Sequence, residues 1–171
     1  MIFVTVGTHE QPFNRLIEEV DKLVVNGYIK EQVIIQTGYS TYKPHSCMYK
    51  SMFSSSEMNN YISNARIIIT HGGPSSFVAP LQYGKIPIVV PRQAKYNEHI
   101  NDHQVDFVKL ITQKLNNIIP VYNIKTLGEV IRDYNEKIML KSEPIKDNNR
   151  LFNVRFEKIV NSLFEDRGKI K

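Results

Sequence analysis

The stretch Ile67-Ile68-Ile69-Thr70-His71-Gly72-Gly73-Pro74-Ser75-Ser76 decides how this chain is read. Its β-branched run has the pattern of a buried strand. The run stops at a glycine pair, and hydroxyl side chains follow at the mouth of an expected helix. Glycines let backbone N–H groups approach an anion closely, and a helix N-terminus carries partial positive charge. A site for a phosphate-bearing ligand is one reading. A tight strand-to-helix connection with no ligand is the other.

On both sides the chain alternates short apolar runs with helical patterns. Strands are expected over 2–6, 32–36, 66–70, 86–90 and 118–121, with a weaker one over 47–53. Phe13, Leu16, Ile17, Val20 and Val24 recur at helical spacing, with Pro12 suited to the first helical position. Ser54 is placed to cap a short helix reaching residue 63. Further helices are expected from the glycine pair to about 83, over 97–110, 124–137 and 147–164. Short strands apolar on both faces, separated by helices, predict an α/β protein with a doubly wound, Rossmann-like parallel sheet. No repeat or linker divides the chain, so one domain over 1–171 is expected, with C-terminal helices from about 124.

Ligands of such sheets bind beyond the carboxyl ends of the strands. The segments expected there are Gly7-Thr8-His9-Glu10-Gln11, Thr37-Gly38-Tyr39-Ser40, the glycine-pair loop, and Arg92 to His99. Four of the five histidines, His9, His71, His99 and His103, lie in or just after them. His9 and His71 are candidate acid–base groups, or hydrogen-bonded loop residues that order the site. Asn101-Asp102-His103-Gln104 is expected in a helix whose start faces the site, where amides and a carboxylate suit a hydroxyl-rich ligand; a solvated helix face is the alternative. His99 and His103 share a helix face, yet no close-spaced ligand pair of a known metal motif is present, so no metal is expected.

The chain has 171 residues, 42% hydrophobic and 23% charged, with net charge +5 and a pI near 9.2. That is enough for a substantial core. The surface is mildly basic, without the dense basic run of a nucleic-acid binder, so no nucleic-acid partner is expected. The single Cys47 excludes an internal disulfide and fits a reducing compartment. The first residues lack a signal-peptide pattern, and no stretch approaches 18 consecutive apolar residues. The glycine loop lacks the Gly-Lys-Ser/Thr ending of a P-loop and is not Gly-x-Gly-x-x-Gly.

Four segments together carry a resemblance that spacing alone does not supply. They are Gly7-Thr8-His9-Glu10-Gln11-Pro12-Phe13, His71-Gly72-Gly73-Pro74-Ser75, Gly84-Lys85-Ile86-Pro87-Ile88-Val89-Val90-Pro91-Arg92 and Asn101-Asp102-His103-Gln104. In this order they resemble the family 28 glycosyltransferase C-terminal domain. Within it the chain is similar to short, stand-alone bacterial proteins of polysaccharide synthesis. Those are related to the catalytic subunit of the two-part UDP-N-acetylglucosamine transferase of N-glycan assembly.

The resemblance implies the C-terminal, donor-binding half of a GT-B glycosyltransferase, holding a UDP-sugar as substrate with no cofactor or metal. It implies a donor site of Gly7, Thr8, His9, His71, Gly72, Gly73, Pro74, Ser75, Ser76, Arg92, His99, Asn101, Asp102 and Gln104. Among these, the 72–76 loop would take the diphosphate, Asp102 and Gln104 the sugar hydroxyls, and Arg92 would line the nucleotide pocket. No catalytic residue is assigned, His9 being a weak candidate. The family usually carries a ribose-binding glutamate five residues before the glycine matching Gly84; this chain has Ala79, followed by Pro80. Because one half of a GT-B enzyme lacks the acceptor half, a membrane-associated partner subunit with a lipid-linked acceptor is implied. The expected location is cytoplasmic, peripheral at the inner face of the plasma membrane through that partner. A non-catalytic activating or stabilising subunit is the alternative.

Overall fold

A computed structural model describes residues 1–141. Six strands, all parallel, form one sheet: β1 (Ile2–Thr5), β2 (Val33–Gln36), β3 (Met48–Lys50), β4 (Ile67–His71), β5 (Ile88–Val90) and β6 (Ile119–Pro120), in the order β3-β2-β1-β4-β5-β6. The order reverses at β1 and β4, which pair from Ile2↔Ile67 to Thr5↔Thr70. A doubly wound sheet binds its ligands at such a reversal. The decisive strand of the sequence is therefore one wall of the crevice that the fold itself creates.

Alternation of side chains along each strand fills both faces. Ile2, Val4, Ile67, Ile69, Ile88 and Val90 turn to the face covered by helix α1 (Asn14–Val25). Phe3, Ile34 and Ile68 turn to the other face, against α2 (Ser55–Asn64) and Ala79 of α3 (Pro74–Gln82). Val89 packs with Phe77 and Leu81 of α3 and Val108 of α4 (His103–Leu115). Two short helices, α5 (Leu127–Arg132) and α6 (Tyr134–Met139), add Leu127, Ile131 and Tyr134 to the α1 face. The sheet ends carry their own stops: β3 is exposed throughout, and Pro120 in β6 removes a donor that only an edge strand can lose.

The elements follow the sequence pattern, with two differences. Ser54 caps α2 as expected, and Glu57 returns the bond to complete a capping box. The helix expected over 97–110 instead begins at His103 and reaches Leu115, because Glu98 and Asp102 bond backbone N–H groups of the preceding loop. The helix expected over 124–137 is a 3-10 turn (Ile124–Thr126) followed by α5 and α6, interrupted at Asp133. Helix α3 starts at Pro74 and runs through Pro80 in its last turn, so that proline neither delays nor ends it. The helix expected over 147–164 lies outside the described residues. Among the described residues no helix is long and apolar enough to cross a membrane.

One buried carboxylate fixes the long connection between β2 and β3. Asp21 of α1 is 1% exposed and accepts from the Tyr42 hydroxyl at 2.8 Å and from the His45 and Ser46 N–H groups at 2.9 Å each. Burial alone would raise its pKa; these bonds, with one from Cys47, hold it below the ordinary carboxylate value. Removing the carboxylate strands several buried donors. We expect Asp21→Ala to destabilise the chain by about 2 kcal/mol in urea unfolding. An unchanged midpoint would show that water satisfies those donors equally well.

Candidate functional site

The loops after β1, β4 and β5 converge at the carboxyl edge of the sheet, held by two side chains. Arg92, the first, is 1% exposed. Its guanidinium donates to the carbonyls of Val6 (2.9 Å), Gln11 (2.7 Å) and Glu98 (3.0 Å), and lies over the Phe13 ring. It therefore ties the loop after β1 to its own loop after β5. Arg92 was expected to line a nucleotide pocket; it is instead buried, bracing the loops. Burial pulls its pKa down to about 10, with Glu98 acting against the shift. Glu98, 3% exposed, in turn accepts both Arg15 Nε (2.7 Å) and Nη2 (2.8 Å), so α1 anchors the same loop.

Gln104 is the second brace. Its Oε1 accepts from the N–H of Gly72 at 3.0 Å and of Arg92 at 3.1 Å, joining the loops after β4 and β5. The Gln104 side chain lines the crevice on both sides of the loop. Asp102 was expected within a helix and directed at sugar hydroxyls. It lies just before α4, and its Oδ1 accepts from the Ala94 N–H at 2.9 Å, which fixes the loop. Asn101 does similar local work, its Oδ1 accepting from His103 N at 3.2 Å.

The glycine pair is required by His71 more than by backbone torsion. Gly72 and Gly73 have ordinary negative φ, Gly73 standing as N-cap at −72°. His71 Nδ1 accepts from the Gly73 N–H at 3.0 Å, which folds the ring back over the loop. A Cβ on Gly73 or Gly7 would land on that ring, and Gly7 also has φ of +75°. A Cβ on Gly72 would press on Gln104, Pro91 and Val108. Ser76 was expected to meet a phosphate with its hydroxyl. That hydroxyl is turned back to the carbonyls of Gly73 (2.6 Å) and His71 (2.9 Å). Ser75, by contrast, is exposed in the crevice wall.

Two cavities of similar size flank this loop. One, of about 580 Å³, lies between the 72–76 loop and α2; Thr8, His9, His71, Ser75 and Ser76 line its loop side. Its far wall comes from Phe53, Ser55, Met58 and Asn59, which the sequence reading missed. The capping box at Ser54 was the available signal, since it marks one more helix start at the carboxyl edge. Ala79 lines this cavity together with Ile62. The other cavity, of about 590 Å³, lies between Gly72, Gly73 and Pro74 and the α4 face of His103, Phe107 and Leu110, with His99 at its rim. Gln104 lines both. Among the described residues no three His, Cys, Asp or Glu side chains group as metal ligands.

Burial, reinforced by the Arg92 charge, pushes the His71 pKa down to about 4; Gln104 opposes this, and His9 and His99 add to it. The folded ring is therefore neutral where an unfolded one, with a pKa of 6.5, takes a proton. Its contribution to stability is complete above pH 6.5 and is lost as pH falls toward 4, by roughly 3 kcal/mol in all. We expect His71→Gln to lose less stability than the parent between pH 7 and 4.5 in urea unfolding. Equal losses would remove His71 as the cause. We also expect Gly7→Ala to cost roughly 1–3 kcal/mol, from its positive φ and the clash with His71, read from the same unfolding curves.

No curated protein matches the sequence. Among solved structures, the crystal structure of the glycosyltransferase SnogD from Streptomyces nogalater is similar at 14% identity, with a TM-score of 0.46, over 90% of this chain. The match spans 42% of the SnogD chain. The glycosyltransferase family 28 C-terminal domain matches residues 1–162. With that match over nearly its whole length, the chain belongs to the glycosyltransferase family 28 C-terminal domain family.

Proposed function

We propose that the chain is the donor-binding part of a glycosyltransferase that uses a UDP-sugar. The observation that carries the reading is the braced 72–76 loop at the start of α3, set between two cavities at the sheet's reversal point. A nucleotide sugar has the matching shape: a nucleoside at one end, a sugar at the other and a diphosphate between. The nucleoside would occupy the cavity against α2, with Phe53 beside the base. The sugar would occupy the cavity against α4, near His103 and the Gln104 amide. The diphosphate would lie at the N-terminus of α3, where Ser75, the Gly73 region and the helix dipole favour negative charge.

In this reading Gly7, Thr8 and His9 close over the phosphates, and no metal is needed. With the Gly72 and Gly73 N–H groups bonded to Gln104 and His71, Ser75 and the α3 dipole would stabilise the charge that develops on the departing UDP. Arg92, Asp102 and Asn101 act by holding the loops rather than by touching the donor. Transfer would proceed with inversion onto a lipid-diphosphate-linked glycan, as in capsular or exopolysaccharide synthesis. The acceptor half and the base that deprotonates the acceptor hydroxyl would come from a membrane-associated partner subunit, since the His9 Nδ1 is already taken by the Gln11 N–H. Support for a partner here is the apolar surface beside the site: Ile100 is 81% exposed, with Tyr39 and Tyr96 also exposed.

Ala79 favours a second reading, a non-catalytic activating subunit of such an enzyme. With alanine in the cavity wall the ribose loses a carboxylate acceptor, leaving Asn59, Ser55 and Gln36 as polar groups there. Calorimetric titration with UDP, with and without the partner subunit, separates the two. We expect UDP to bind, and Gln104→Ala to weaken it at least tenfold, about 1.4 kcal/mol, while the unfolding transition stays cooperative. Absence of UDP binding in both settings would leave the activating role.

A further inference from the structure

Three histidines of the site share one local device. His9 Nδ1 accepts from the Gln11 N–H at 3.1 Å, His71 Nδ1 from the Gly73 N–H at 3.0 Å, and His99 Nδ1 from the Asn101 N–H at 3.4 Å. The donor is each time the backbone two residues on. A backbone N–H cannot donate to a ring nitrogen that already carries a hydrogen. Each Nδ1 is therefore bare, and each neutral ring keeps its proton on Nε2.

Two of these rings meet. His9, from the loop after β1, and His99, from the loop after β5, stand 4.7 Å apart between ring centroids. His9 lines the cavity against α2 and His99 the cavity against α4. The pair thus stands between the two cavities, near enough to His71 at the start of the separating loop for both rings to act on it electrostatically. A ligand reaching from one cavity into the other passes this pair with its middle portion.

We propose that His9 and His99 form a pair of tautomer-fixed, neutral Nε2–H donors for the bridging diphosphate of a two-lobed nucleotide ligand. This rests on the reading of the 72–76 loop as a diphosphate cradle. It adds two side-chain donors to that cradle and the chemical state of those donors. The charged groups facing the pair are Arg92, which opposes a proton on His9, and Glu10, which favours one. Burial also lowers the His9 pKa. Donation from bare-Nδ1 rings needs no acidification, so binding persists at pH 8. A neutral donor also holds a departing diphosphate less tightly than a cation would, which suits a product that must leave.

Long-range proton–nitrogen NMR on the ¹⁵N-labelled full chain at pH 8 reads the tautomers directly, with His9→Gln and His99→Gln assigning the peaks. Both rings are expected to show a protonated Nε2 and a bare Nδ1, and their Nε2 signals to move when inorganic pyrophosphate is added. Glutamine sets its amide nitrogen near the Nε2 position and asparagine near Nδ1. His9→Gln and His99→Gln are therefore expected to stay within threefold of the parent in pyrophosphate affinity, and His9→Asn and His99→Asn to fall at least tenfold. An Nδ1–H tautomer or a charged ring at pH 8 would overturn the proposal, and that measurement stands even if a variant misfolds. Pyrophosphate binding unchanged in both asparagine variants would overturn it while leaving the glycine-loop reading intact. Failure of the parent chain to bind pyrophosphate or UDP, with the tautomers as expected, would remove the loop reading and the diphosphate role together.

Discussion

The buried Arg92 guanidinium is the constraint on which the site depends. A parallel sheet aligns its strand ends but leaves the loops beyond them free to diverge. Arg92 gathers carbonyls from residues 6, 11 and 98 into one charged, hydrogen-bonded knot. A cation buried this deeply is costly unless its donors are paired. Here three carbonyls accept from its Nη groups and the face of Phe13 covers it, with Glu98 close by in the same loop, while Nε has no partner among the described residues. The knot holds the loops after β1 and β5 at a fixed separation.

Gln104 completes the frame by bonding the loop after β4 to the loop after β5. Between these braces the glycines do a specific job. Gly7 and Gly73 lie on either side of the His71 ring, and Gly72 packs under Gln104, so any side chain would displace a brace or the imidazole. The small residues therefore make room for a histidine and a glutamine as much as for a ligand.

The residues implicated by resemblance divide into two groups. Gly7, Thr8, His9, His71, Gly72, Gly73, Pro74, Ser75, Ser76, His99 and Gln104 line the two cavities. Arg92, Asn101 and Asp102 stand behind or before them and hold the loops in position. Sequence carries no mark that distinguishes these groups, because a polar residue beside a site is equally suited to touch a ligand or to brace a loop. The α2 wall of Phe53, Ser55, Met58 and Asn59 was hidden for a related reason. It joins the site only because β3 comes second from β1 in the sheet order, a long-range pairing.

The sequence by itself determined the sheet, its parallel sense and the edge that carries the site. Those follow from local pattern: apolar runs such as 67–69 buried on both faces, helical spacing between them, and glycines and polar residues at each strand's carboxyl end. Element ends were less legible, as the start of α4 shows, because Asp102 and Glu98 choose loop N–H groups over a helical continuation. Only the tertiary structure decided which polar groups face the crevice. That choice is made by distant partners, Val6, Gln11 and Glu98 for Arg92, and Gly72 for Gln104. Hydrogen-bonding capacity is a property of a residue, but the partner that satisfies it is a property of the fold.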